Sequence, residues 1–157
     1  GGAFAYRQQL NAAARDNLPV CGANVVARAP LYRSAAIGPK RDGQGKGDYI
    51  NTAVAVRSVV PAVGLLQRLH SLEAAFGRER RVQWGPRTLD IDILSYHDEI
   101  HAHMAQIPHP RLAARAFVLY PLRDIAPGWR HPISGVGVST LIQRLPVGER
   151  RGIVKIN

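Results

Sequence analysis

From Leu89 to Leu94 the chain reads Leu-Asp-Ile-Asp-Ile-Leu. A period of two is a strand period, because successive side chains leave opposite faces of a pleated backbone. Leu89, Ile91 and Ile93 therefore belong to a core face. Asp90 and Asp92 share the other face, roughly 6–7 Å apart along the chain. A strand is expected over 89–96. Residues 48–58 alternate in the same way, with Tyr49, Thr52, Val54, Val56 and Ser58 set among Ile50, Ala53 and Ala55, and predict a second strand. A third is expected over 23–33, around Asn24-Val-Val-Ala-Arg-Ala.

Helical spacing appears between these segments. Leu65, Leu66, Leu69, Leu72 and Phe76 recur at helical intervals after Pro61, with Gly77 suited to the C-terminal cap. Phe4, Leu10, Ala13 and Ala14 can form one stripe of a helix over 4–17, ended by Asn17 and Pro19. Short helices are expected near 111–114, 117–125 and 138–144, and a strand near 152–156. The order is α-β-β-α-β plus a C-terminal extension. It predicts a single α+β domain over 1–157, an antiparallel sheet with helices packed on it. The ferredoxin-like order is β-α-β-β-α-β, so the first strand is expected to be missing from this chain.

The chain has 157 residues and a formal charge of +10, from 21 basic and 11 acidic residues. All but Lys40, Lys46 and Lys155 of the basic residues are arginines, which grip phosphate bidentately. An anionic partner is implied, either polyphosphate or nucleic acid. Aromatic residues make up 6% of the chain, and no strand interleaves them with glycine, which weighs against RNA readout. Cys21 is the only cysteine, so neither an internal disulfide nor a thiolate zinc site can form, and a cytoplasmic location is expected. No apolar run approaches the ~20 residues of a membrane helix. No membrane partner is expected.

Two carboxylates on one strand face can converge on a metal, and hard oxygen ligands select Mg²⁺. Taken alone, the pair better suits an amphipathic strand with a solvated acidic face. The neighbourhood favours the metal. Arg78, Arg80, Arg81 and Arg87 precede the acids in a loop that also carries Trp84 and Pro86. Phosphoryl-type transfer needs mainly positioning and charge neutralisation, which acids and arginines together supply. His97, His101 and His103 invite a zinc reading, but only His101 and His103 would share a strand face, and no third ligand of fixed spacing completes that pair.

Trp84-Gly-Pro-Arg-Thr-Leu-Asp-Ile-Asp-Ile-Leu94 resembles the signature of the 6-hydroxymethyl-7,8-dihydropterin pyrophosphokinase family of folate biosynthesis. Leu31-Tyr-Arg-Ser34, Asp48-Tyr-Ile-Asn51, Gly77-Arg78-x-Arg80, Pro108-His-Pro-Arg111, Arg115-Ala-Phe117, Pro121-Leu122 and Ile125-Ala-Pro127 agree with the family in order. The resemblance covers about residues 5–145. It implies transfer of diphosphate from ATP to the pterin hydroxymethyl group, with AMP leaving, by a two-magnesium in-line displacement. Asp90 and Asp92 would hold both Mg²⁺ ions and, with Arg78 and Arg87, form the catalytic set. Arg78, Arg80 and Arg87 would meet ATP phosphates, His109 and Arg115 the nucleotide, and Glu73, Ile93 and Gln106 the ribose and adenine. Tyr49 and Phe117 would sandwich the pterin. Asn51 would hydrogen-bond its edge, as would backbone from Ser34 through Ala35 to Ile37. Trp84 would move with the loop that seals the site. The chain is expected to act as a monomer with these two substrates and no nucleic acid.

The chain departs from the family pattern in three places. Family members begin with a strand ending in Gly-Ser-Asn or Gly-Ala-Asn, and this sequence starts at Gly1-Gly2, about where that strand should end. Gln83 stands where an arginine is usual, and the loop through Lys40-Arg-Asp-Gly-Gln-Gly-Lys46 is slightly longer.

Overall fold

The computed structural model describes residues 2–7, 16–34, 49–79, 90–103 and 105–156. Six strands form one sheet: β1 (Gly2–Arg7), β2 (Asn24–Arg28), β3 (Tyr32–Ser34), β4 (Tyr49–Arg57), β5 (Asp90–Tyr96) and β6 (Ile153–Lys155). The path across the sheet is β5-β1-β4-β3-β6, with β2 also paired to β4, and each strand pair is antiparallel. The helices are α1 (Ala62–Glu79), α2 (Ala116–Ile125), α3 (Val138–Gln143) and α4 (Val147–Arg151). None among the described residues is long and apolar enough to cross a membrane.

Several sequence expectations hold. β4, α1, β5, α2, α3 and β6 fall on the segments where strands and helices are expected. Others are corrected. The helix expected from Phe4 gives way over residues 2–7 to β1, so the strand position expected to be missing is filled. β1 lies between β4 and β5, where two partners satisfy its backbone on both sides. The strand expected over 23–33 breaks at Ala29-Pro30-Leu31 into β2 and β3. Proline has no N–H for a ladder, and at the break the Thr52 hydroxyl lies 3.0 Å from the Ala29 carbonyl and 3.2 Å from that of Pro30. Gly77 does not end α1, which continues to Glu79.

The sheet carries a core on each face. On one, Ala62, Leu65 and Leu69 of α1 pack on Val54 and Val56 of β4 and on Ile91 and Ile93 of β5. On the other, Leu94 joins Leu112, the α2 residues Ala116, Val118, Leu119 and Leu122, and the α3 residues Leu141 and Ile142. α2 lies against β4, where alternation presents Asn51, Ala53 and Ala55, and alanines let a helix approach closely.

β5 serves both cores through a bulge. Phe4 pairs with Ile93 and Ala3 with Ser95, which leaves Leu94 as an extra residue. A bulge resets the alternation. Tyr96 thus rejoins the α1 core, although strict alternation from Ile93 would turn it away. Its hydroxyl donates to the carbonyl of Val60, two residues before α1.

Candidate functional site

The candidate site lies on the sheet face opposite α1. Ile91 and Ile93 are buried against α1, so the intervening Asp92 faces the other way and retains 41% side-chain exposure. Asp90, placed by its backbone, occupies the strand position two residues earlier. Asn51 of β4 and Asp90 of β5 both stand opposite Arg7 of β1. Two strand spacings separate them, about 10 Å. In the next row with the same facing, Ala53 and Asp92 both stand opposite Ala5.

Asn51 is 2% exposed. Its amide nitrogen donates to the Ser34 hydroxyl at 3.4 Å, and its carbonyl oxygen is buried without a hydrogen-bond partner among the described residues. A buried acceptor of this kind is costly and rare in native proteins. It fits a site shaped to receive a donor from a ligand edge.

Two residues support the Asp92 position. Glu73 of α1 accepts a hydrogen bond from the backbone N–H of Ile91, between the two aspartates. It therefore ties α1 to β5. His109 is held by its own N–H, which donates to the Leu94 carbonyl at 3.1 Å. Its Nδ1 accepts the Arg111 N–H at 3.2 Å, which aims Nε2 toward Asp92, 4.0 Å from Oδ2. That is ion-pair range and longer than a hydrogen bond.

Across the face, Phe117 sits half-buried in the first turn of α2. The Arg115 guanidinium lies 5.4 Å from its ring centroid, a cation–π arrangement. The structure thus brings Asn51, Ser34, Asp92, His109, Arg115 and Phe117 onto elements that share one side of the sheet. Gln106 is exposed beside the His109 turn. Ile93 is 3% exposed, with its side chain in the α1 core, so only its backbone is available to a ligand. Tyr49 and Arg78 are placed by their backbones, at the start of β4 and the last turn of α1. Ala35, Ile37, Arg80, Trp84 and Arg87 lie outside the described residues.

The histidine excursion closes as an isolated bridge between His101 and Ile107, and His101 Nε2 stands 3.7 Å from Glu99. No group of three His, Cys, Asp or Glu donors lies together among the described residues. Burial pushes the Cys21 thiol up despite nearby Arg68, so it is no reactive thiolate.

One polar cluster escaped the sequence reading. The Tyr32 hydroxyl of β3 donates to Oδ2 of Asp124 in α2. Oδ1 of Asp124 lies 3.7 Å from Nζ of Lys155 in β6, which also stands 5.7 Å from the Tyr32 ring centroid. Burial and the Asp124 carboxylate raise the Tyr32 pKa well above the usual phenol range. Tyr32 and Asp124 are 92 residues apart, and no local motif announces the contact.

Residues 1–127 match the family model described as 7,8-dihydro-6-hydroxymethylpterin-pyrophosphokinase (HPPK). A protein of Synechocystis named 2-amino-4-hydroxy-6-hydroxymethyldihydropteridine pyrophosphokinase is 42% identical over 127 residues, 80% of this chain and 63% of that protein. One of the same name from Pseudomonas aeruginosa is 39% identical over 129 residues, 80% of this chain and 76% of its own. The chain therefore spans somewhat under two thirds of the Synechocystis relative. Among solved structures, one titled "Crystal Structure Analysis of the HPPK-DHPS in complex with substrates" superposes with a TM-score of 0.64 at 12% identity, covering 89% of this chain and 42% of that one. At that identity the likeness concerns the fold.

Proposed function

Since the chain belongs to the 7,8-dihydro-6-hydroxymethylpterin-pyrophosphokinase family, we propose that it transfers diphosphate from ATP to 6-hydroxymethyl-7,8-dihydropterin in folate biosynthesis. The pterin hydroxymethyl oxygen attacks the β-phosphorus and loses its proton to solvent. The bond from the β-phosphorus to the oxygen bridging to the α-phosphorus breaks, and AMP leaves with that oxygen. We read the domain as a single unit of ferredoxin-like topology, whose 4-1-3-2 strand order corresponds to β5-β1-β4-β3 here.

The observation that carries this reading is the cross-strand row in which Asn51 and Asp90 flank Arg7. It sets a buried, unsatisfied amide oxygen beside an acidic strand on one face. The amide suits the polar edge of a pterin, with Phe117 offering a ring to stack on. The acidic strand suits metal-bound phosphate. Mg²⁺ fits the donors: Asp92 offers hard oxygens and is open enough to leave room for water and phosphate oxygens, and Mg²⁺ needs only one or two protein carboxylates. Two ions held by Asp90 and Asp92 would neutralise charge on the attacking and leaving oxygens. His109 and Arg115 would contact the nucleotide, and Arg78, Arg80 and Arg87 its phosphates. Glu73 would keep the acidic strand in place.

The test is incubation with Mg-ATP and 6-hydroxymethyl-7,8-dihydropterin, following AMP and the pterin diphosphate by chromatography. The expected result is stoichiometric release of both. ADP in place of AMP, or no nucleotide product, would refute the reaction.

A further inference from the structure

We propose that Lys155, through Asp124 and Tyr32, is a positioning residue that sets the width of the pterin slot, so that the C-terminal strand β6 tunes affinity for one of the two substrates. The inference rests on the pterin reading above. It starts from three elements tied at one point: Tyr32 on β3, Asp124 on α2 and Lys155 on β6. Both carboxylate oxygens of Asp124 are used, one by the Tyr32 hydroxyl and one by the Lys155 ammonium.

Two of the three tied elements, β3 and α2, each carry a group read above as meeting the pterin. Two residues beyond Tyr32, β3 ends at Ser34, whose hydroxyl receives the Asn51 amide. In α2, Phe117 precedes Asp124 by two turns, roughly 10 Å along the helix axis. β3 and α2 are short, three and ten residues, so a shift where they are tied moves Ser34 and Phe117 relative to each other. Small misplacements of binding groups have large effects on recognition.

β3 has only three residues and lies between β4 and β6, with Tyr32 opposite both Asn51 and Lys155. Without β6 it would be an edge strand. Lys155 therefore acts twice, by pairing β3 through its backbone and by holding Asp124 through its ammonium. Its side chain is 52% exposed, so the ion pair adds little to global stability. Its effect is expected in geometry.

The test compares Lys155→Met, Lys155→Arg and Tyr32→Phe with the full chain, measuring KM for pterin, KM for ATP and kcat. Lys155→Met should raise the pterin KM about fivefold, equivalent to about 1 kcal/mol, with the ATP KM and kcat within about twofold. The arginine variant should restore the wild-type value, and Tyr32→Phe should behave like the methionine variant. Titration of pterin binding by calorimetry, without turnover, should give the same ranking. An unchanged pterin KM in Lys155→Met, or equal changes in both substrates' KM values, would overturn the proposal while leaving the pyrophosphokinase reading intact. A wild-type chain that neither binds pterin nor releases AMP would remove both.

Discussion

Replacing Asn51 by leucine should make the protein more stable and a weaker binder of pterin. The two side chains have similar size and shape. In the wild type the Asn51 carbonyl oxygen is buried with no partner among the described residues, a burden of about 1–3 kcal/mol. Its amide makes one contact, at 3.4 Å to the Ser34 hydroxyl, beyond the usual range for a strong bond and worth no more than about 0.5–1.5 kcal/mol. Ser34 is only half-buried, so water can replace what it loses. The balance favours leucine by about 1 kcal/mol, a rise of about 2–4 °C in melting temperature for a chain of this size. Bound pterin reverses the sign, because its donor would face a methyl group. Affinity should fall about 10- to 100-fold for a buried donor left unpaired. Scanning calorimetry with and without pterin reads both quantities. A variant melting more than about 2 °C below wild type while binding pterin equally well would show that the carbonyl oxygen is neither orphaned nor aimed at a ligand.

Asp92→Asn should fold normally, because the side chain is 41% exposed, and should lose AMP release by about a thousandfold or more; quenched-flow chromatography measures it. Gly22→Ala should cost about 2–4 kcal/mol, since Gly22 has φ 85° and an added Cβ would lie 2.7 Å from Val60; urea denaturation checks it. His131 supplies a pH test. Burial lowers its pKa from 6.5, and its Nδ1 already accepts the Ile133 and Ser134 N–H groups at 3.2 and 3.4 Å. The unfolded chain therefore binds a proton more readily than the native one, and stability falls as pH drops below 6.5 toward the native value. His131→Asn, which keeps an acceptor and removes the titration, should flatten the acid limb of the melting curve.

The elements the sequence discloses best are those whose own pattern decides them. Val54 and Val56 alternate into one core, Leu65 and Leu69 share a helical face, and Ile91 and Ile93 bury while Asp92 does not. β1 is less legible. Ala3, Phe4, Ala5 and Tyr6 suit either period, and the choice is made by β4 and β5, distant in sequence. Tertiary pairing overrides local preference there. The bulge at Leu94 is hidden for the same reason, because it exists only relative to β1. In the site, Asp92, His109 and Phe117 are visible through motif and spacing. The Asn51–Ser34 contact and the Tyr32–Asp124–Lys155 cluster depend on strand register and on the tail folding back. Ile93 shows the opposite limit: a residue implied by resemblance has its side chain committed to the core.

The hydrogen bond from Ile91 to Glu73 has a consequence for how this fold can vary. It joins α1 to β5 across the chain between Glu79 and Asp90, fixing both ends of that segment independently of what lies between. Closure entropy grows only with the logarithm of length, so doubling such a segment costs about 0.6 kcal/mol. Insertions there should leave the Asp92 strand in register and change only what the segment reaches. Grafting segments of different length between Glu79 and Asp90 would therefore be a mild operation on stability as long as Glu73 is kept, whereas activity would still depend on the arginines that the segment carries.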